Sequence, residues 1–213
     1  MKSKLLLLIV LLVLLASVGG GIVWLKDTQE IEKEAPEFDM LEFAPEVEEV
    51  LAKRMRLIVK LLEDPVIVEA VRAANREHQD ITLQEILLVD AKWQTTPGID
   101  EFINQFLTNE VALKLIEFQE EYPGFSEIFV TDEKGLNVGQ TNKTTDYYQA
   151  DEAWWIGGYQ SGAGKRFHGS IEFDESAQAE AISLYAPVID PETRRAIGVA
   201  KAVLSIASIK FEL

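Results

Sequence analysis

Apolar and polar positions follow three different rhythms along this chain. From Leu5 to Leu25 the residues are mostly apolar and carry no charge. That length is close to the ~20 residues a membrane-spanning helix needs. From Pro45 to Glu121 apolar residues recur at helical spacing, and from Phe125 onward they tend to alternate, as in strands. These rhythms predict an apolar leader, a helical half and a sheet half.

In the helical half, Pro45-Glu46-Val47-Glu48-Glu49 opens a helix, with proline early and acids in the first turn. Val47, Val50, Leu51, Met55, Ile58, Leu61 and Leu62 form its stripe, and Asp64-Pro65 ends or bends it. Further helices are predicted from Val66 to Glu77, after Thr82, from Ile99 to Leu107, and from Asn109 to Glu121, where Pro123-Gly124 stops the chain. Thr82-Leu83-Gln84-Glu85 reads as a capping box. The stripe of the long first helix suits packing on the domain's own sheet. It equally suits pairing with a twin helix in a homodimer.

In the sheet half, strands are predicted over Ser126–Thr131, Leu136–Thr141, Arg166–Phe173, Ala181–Ile189 and Arg195–Ile206, joined mainly by short turns such as Asp132-Glu133-Lys134-Gly135 and Asp190-Pro191-Glu192-Thr193. In the third strand, Phe167, Gly169, Ile171 and Phe173 are expected to share one face. Gly198, Ala200 and Ala202 give the last strand a face small enough for a helix to approach. The expected fold class is α+β, with a five-stranded antiparallel sheet, a long N-terminal helix and further helices packed on the sheet.

Between the second and third strands lies Asp146-Tyr147-Tyr148-Gln149-Ala150-Asp151-Glu152-Ala153-Trp154-Trp155-Ile156-Gly157-Gly158-Tyr159. It holds three of the five tyrosines and two of the four tryptophans. A short helix is expected over Asp151–Tyr159. Rings this dense beside carboxylates can line a small concave site. They can equally be a helix packing its rings on a sheet.

The leader reads as an uncleaved signal anchor over residues 1–26, with cleavage after Ala16-Ser17-Val18-Gly19 as the alternative. Lys2 and Lys4 precede it and acids follow, so the positive-inside rule places the rest of the chain outside the cytoplasm. Residues 27–44 read as a juxtamembrane linker, and residues 45–213 as a single domain.

Composition narrows the functions. The net charge of −16 disfavours a phosphate backbone, so nucleic acid is not an expected partner. Cysteine is absent, which excludes disulfides, thiolate metal sites and cysteine nucleophiles. The two histidines, His78 and His168, have no metal-ligand spacing, and no spacing singles out a nucleophile or an oxyanion hole. The expectation is a non-enzyme with no cofactor.

The order of parts resembles the extracytoplasmic Cache, or PDC, sensor domains, which are PAS-like. The resemblance rests on Ile128-Phe129-Val130-Thr131-Asp132-Glu133-Lys134-Gly135, Thr141-Asn142 and the aromatic stretch to Trp155. It continues through Gly169-Ser170-Ile171-Glu172-Phe173-Asp174-Glu175-Ser176-Ala177, Ala186-Pro187-Val188-Ile189-Asp190 and Ile197-Gly198-Val199-Ala200-Lys201-Ala202. It implies a small-molecule ligand held between the sheet and the segment that crosses it. By position, the implied ligand-binding residues are Tyr147, Trp154, Trp155, His168, Asp174 and Tyr185. Each has a rival reading. Trp154 and Trp155 point ~100° apart on a helix, so one belongs to the core. Tyr147 can cap the strand pair, His168 can be a hydrogen-bonded structural residue, and Asp174 can be a turn residue. Amino-acid-binding members carry an arginine two residues before the aromatic pair, where this chain has Glu152. Glutamate cannot replace a guanidinium fork, so the resemblance implies a cationic or uncharged polar ligand here. The chain ends soon after the last strand, with no output domain in view, so the expected routes for a signal are a separate signalling partner or the single amino-terminal helix, the remaining option being no signalling at all. The alternative is an assembly subunit whose Cache-like fold has its pocket filled by side chains.

Overall fold

The computed structural model describes residues 43–174 and 179–213, with the side chain of Asp174 outside that set. The anchor, most of the linker and residues 175–178 therefore lie outside the described residues. Among the described residues no helix is long and apolar enough to cross a membrane.

Local chemistry sets the helix ends. α1 (Pro45–Leu62) begins with proline and with Glu46 and Glu48 in its first turn. α2 (Pro65–Glu77) is capped by Asp64, whose side chain accepts from the Val66 amide. α3 (Leu83–Thr95) has the expected capping box, in which Thr82 and Glu85 satisfy each other's backbone donors. Asp100 caps α4 (Glu101–Thr108) and Asn109 caps α5 (Glu110–Glu121).

The sheet has five strands: β1 (Phe125–Thr131), β2 (Asn137–Gln140), β3 (Phe167–Asp174), β4 (Ala179–Ile189) and β5 (Ala196–Ser205). They lie in the order β2-β1-β5-β4-β3, and every neighbouring pair is antiparallel. This is the α+β arrangement expected from the helix and strand pattern. One face of β4 and β5 presents Ile182, Leu184, Ala186, Ala200, Ala202 and Leu204 to α1 and α2, while α5 packs on β1 and β2. Val50, Leu51, Ile58 and Leu62 of α1 are buried there, so the stripe of the long helix is spent on its own sheet. Gly198 permits the close approach: a Cβ at that position would overlap the Thr131 carbonyl oxygen and press on Val71 of α2.

The opposite face of the sheet carries Phe129, Phe167, Tyr185 and Val199. α6 (Ala153–Tyr159) lies across it and buries Trp154 and Trp155. Gly158 lets α6 down onto β5, since a Cβ there would stand 2.8 Å from Val199 Cγ1.

Two expectations need correction. The first concerns β3, whose alternation breaks. His168 pairs with Leu184, but Ile171 pairs with Ile182, so a bulge inserts one extra residue between them. Phe167 pairs with Tyr185 and is buried, while Ile171 and Phe173 are 49% and 62% exposed. An extra residue moves everything beyond it to the other face. The second concerns the chain after β5, which does not end as strand. Ile206–Glu212 forms a helix, α7, capped by Ser205 and anchored by the buried Ile209. Glu212 of α7 is paired with Lys53 and Arg54 of α1.

Candidate functional site

The segment after β2 is held in place by α3. Asp90 accepts hydrogen bonds from the amides of Tyr147 and Tyr148 through one carboxylate oxygen, at 2.8 and 3.0 Å. The Trp93 indole donates to the Thr144 carbonyl at 2.9 Å. Asn137 of β2 donates through its side-chain amide to Thr144 Oγ1 and to the Asp146 carbonyl. Gln149 returns the chain toward the hairpin by donating its amide to the Gly135 carbonyl.

So fixed, the 144–149 loop stands over the α6 face of the sheet and leaves a cavity of about 240 Å³. Thr144, Thr145 and Gln149 line it from the loop, and Glu127 and Phe129 from β1. Glu172 and Phe173 of β3, Ala181 and Ser183 of β4, and Lys201 of β5 complete it. Lys201 is the one lining cation. It makes no ion pair among the described residues, and its Nζ sits 5.9 Å from the ring centre of Trp154. A cation over an indole face gains about 0.5–2 kcal/mol, depending on how far water is excluded. Glu127 is nearly fully buried.

Behind this cavity the rings form a continuous stack. Trp154 lies parallel to Tyr185 at 5.2 Å between centroids and meets Phe129 edge-on at 5.8 Å. Tyr185 touches Phe167 at 4.9 Å. Trp154 and Tyr185 therefore back the cavity through Phe129 and Lys201 without forming its lining. Trp155 points elsewhere, as the helical angle requires. Its indole donates to Thr131 Oγ1 at 2.9 Å and its ring stacks on Tyr159 at 4.7 Å. Tyr147 belongs to a separate cluster with Trp93, Phe102 and Phe106, and burial raises its phenol pKa well above the usual value. His168 faces α1, where Nε2 lies 3.2 Å from Glu48 Oε2 and the ring is 5.5 Å from Phe43. Asp174 closes β3 opposite Ala179. Of the six sequence candidates the structure thus brings Trp154 and Tyr185 together beside the cavity, with Trp155 on the same helix, and places Tyr147 and His168 elsewhere.

Glu127, Glu172, Lys201 and the Thr144, Gln149 and Ser183 polar groups were not among the sequence candidates. One signal for two of them was present. Glu127 is the sole charge in β1, and Lys201 the sole charge in β5, which lies at the sheet centre. A charge in a central strand costs free energy unless something nearby compensates it. Glu152, at the α6 N-terminus, has a raised pKa, first through partial desolvation and then through Asp151 and Asp146, with Lys201 acting against them.

No family model matches the chain. No curated protein matches it either. Among solved structures it is similar to the sensor domain of the Vibrio cholerae histidine kinase DctB, at 15% identity and a TM-score of 0.36, covering 78% of this chain and 59% of that one. It is similar to the Escherichia coli DcuS sensor domain at 18% identity and 0.34, covering 61% of this chain and 92% of that one. It is also similar to the ligand-binding domain of the Pseudomonas aeruginosa amino acid chemoreceptor PctB in complex with L-Arg, at 11% identity and 0.40, covering 78% and 54%. The chain thus spans less than two thirds of the DctB and PctB chains.

Proposed function

We propose that this chain is a membrane-anchored, extracytoplasmic sensor module. In this reading it binds a small solute in the cavity between the 144–149 loop and the sheet. The solute carries an ammonium group and a hydrogen-bond acceptor. The carboxylates of Glu127 and Glu172 face the ammonium, Lys201 faces the acceptor, and Thr144, Gln149 and Ser183 fix orientation. The observation that carries the reading is a charged, partly enclosed cavity backed by stacked rings. Its volume of about 240 Å³ suits a solute of few heavy atoms, since drug-sized pockets run ~300–1,000 Å³. The assembly-subunit alternative expects that space to be filled by side chains, and the open cavity speaks for the sensor.

The output path follows from the layering. β4 and β5 floor the cavity on one face and pack against α1 and α2 on the other. A ligand that shifts those strands also shifts α1, the helix nearest the anchor in sequence, and thereby a separate signalling partner. Because the apolar stripe of α1 is buried, any pairing of two copies through α1 uses its polar face.

The test is calorimetric titration of the full chain in detergent with a panel of small amines, acids and neutral polyols. Glu172→Gln and Lys201→Met each weaken the selected ligand at least about tenfold, the equivalent of ~1.4 kcal/mol, and Ser183→Phe abolishes binding by filling the cavity. If no solute of any class binds, or if Ser183→Phe binds as the parent does, the proposal fails.

A further inference from the structure

A second and larger cavity lies away from the first, between α2, α4, α5 and β2, with a volume of about 480 Å³. Its apolar wall comes from Phe102 and Phe106 of α4, Val111 of α5 and Val138 of β2. Ala70, Ala73 and Ala74 of α2 face them, and their short side chains leave the space open. Its lining includes Glu77 and Glu110 but neither lysine nor arginine.

The polar groups at this cavity are mostly acceptors. Asn137, which lines it, is 1% exposed and spends its side-chain amide N–H groups on Thr144 and Asp146. Its Oδ1 has no hydrogen-bond partner among the described residues. That oxygen is shut off from water, so it offers no contact point to a ligand in the open space. His78 holds Asp132 through Nδ1 at 2.6 Å. The Tyr147 ring joins Phe102 and Phe106 in an aromatic wall. Acceptors and carboxylates beside aromatic faces suit an organic cation.

We propose that this cavity is a second ligand site, taking a small organic cation with an aromatic or branched apolar body. The ammonium lies toward the carboxylates of Glu77 and Glu110, and the body lies against Phe102, Phe106 and Val111. The site adjoins the first one through the loop: Tyr147 lines this cavity, while Thr144, Thr145 and Gln149 line the other. Occupancy here therefore biases the segment that covers the first cavity, and by linkage each ligand changes the affinity of the other by the same factor.

The experiment titrates the full chain with benzylammonium, and with benzyl alcohol as the neutral probe of the same shape. Benzylammonium binds at least about tenfold more tightly than the alcohol. Glu77→Gln removes that preference, and Ala73→Phe, at an exposed position on the cavity rim, abolishes binding of both. Lys201→Met and Glu172→Gln, in the other cavity, leave the intrinsic benzylammonium affinity unchanged. The proposal is overturned if the folded chain binds neither probe or binds the alcohol equally well. It is also overturned if Glu77→Gln and Ala73→Phe have no effect while Lys201→Met or Glu172→Gln does.

Discussion

Thr131→Val is the sharpest test of how the tryptophan helix is held on the cavity face. Thr131 is fully buried at the end of β1, where a bulge ends the regular pairing. Its hydroxyl donates to the Val199 carbonyl at 2.9 Å and accepts from the Val199 amide at 3.3 Å. It also accepts from the Trp155 indole at 2.9 Å. Valine keeps the shape and deletes all three bonds. The indole N–H, on a side chain only 6% exposed, is then left without an acceptor. That alone costs about 1–3 kcal/mol, and losing the Val199 bonds adds about 1 kcal/mol. A total near 3 kcal/mol lowers Tm by about 6–12 °C, at ~2–4 °C per kcal/mol for a chain of this size. The assay is thermal and urea unfolding followed by circular dichroism, with Trp155→Phe as the second arm of a double-mutant cycle. With phenylalanine at 155 the indole penalty vanishes, so Thr131→Val becomes cheaper by about 1–2 kcal/mol. An equal cost in both backgrounds, or a single-mutant cost under about 0.5 kcal/mol, refutes the reasoning.

Other perturbations probe the same architecture. Gly198→Ala drives a methyl into the Thr131 carbonyl oxygen and destabilises by about 3 kcal/mol in urea unfolding. Gly158→Ala pushes α6 off Val199 and costs about 1–2 kcal/mol, and Val199→Ala relieves much of that in the double mutant. The Arg72 guanidinium, aided by the Glu192 and Thr193 amides, holds the Asp190 carboxyl down to about 2. A depressed carboxyl stabilises the fold above its ordinary value of ~3.9 and loses that contribution as pH falls through its folded value. The Tm advantage of the parent over Asp190→Asn is therefore constant from neutral pH to about 5 and vanishes as pH approaches 2.

Much of the scaffold was legible because its signals are local. Asp64, the Thr82–Glu85 box and Asn109 each satisfy backbone donors of the helix they begin, and Pro45 starts its helix by removing one, so these residues mark helices without tertiary context. Strand order needed more than alternation, since alternation marks strands but not their neighbours. The β3 bulge stayed invisible because one extra residue has meaning only against the β4 partner. α7 was missed because seven residues with a single buried anchor are too short to show a helical stripe. At the site, the aromatic stretch was conspicuous in composition, yet its rings divide among three environments, set by helix angle and by the α3 contacts. Glu127 and Lys201 stand out as the lone charges of their strands, but the strand pattern does not say what faces them. Only the loop laid over the sheet by Asp90 and Trp93 encloses them.

The most direct measurement is a crystal structure of the chain grown with the solute that calorimetry selects. The account predicts that solute's density between Phe129, Lys201 and the 144–149 loop, with its ammonium within hydrogen-bonding distance of Glu127 or Glu172. Density for the solute only elsewhere, with that cavity closed by the protein's own side chains, contradicts it.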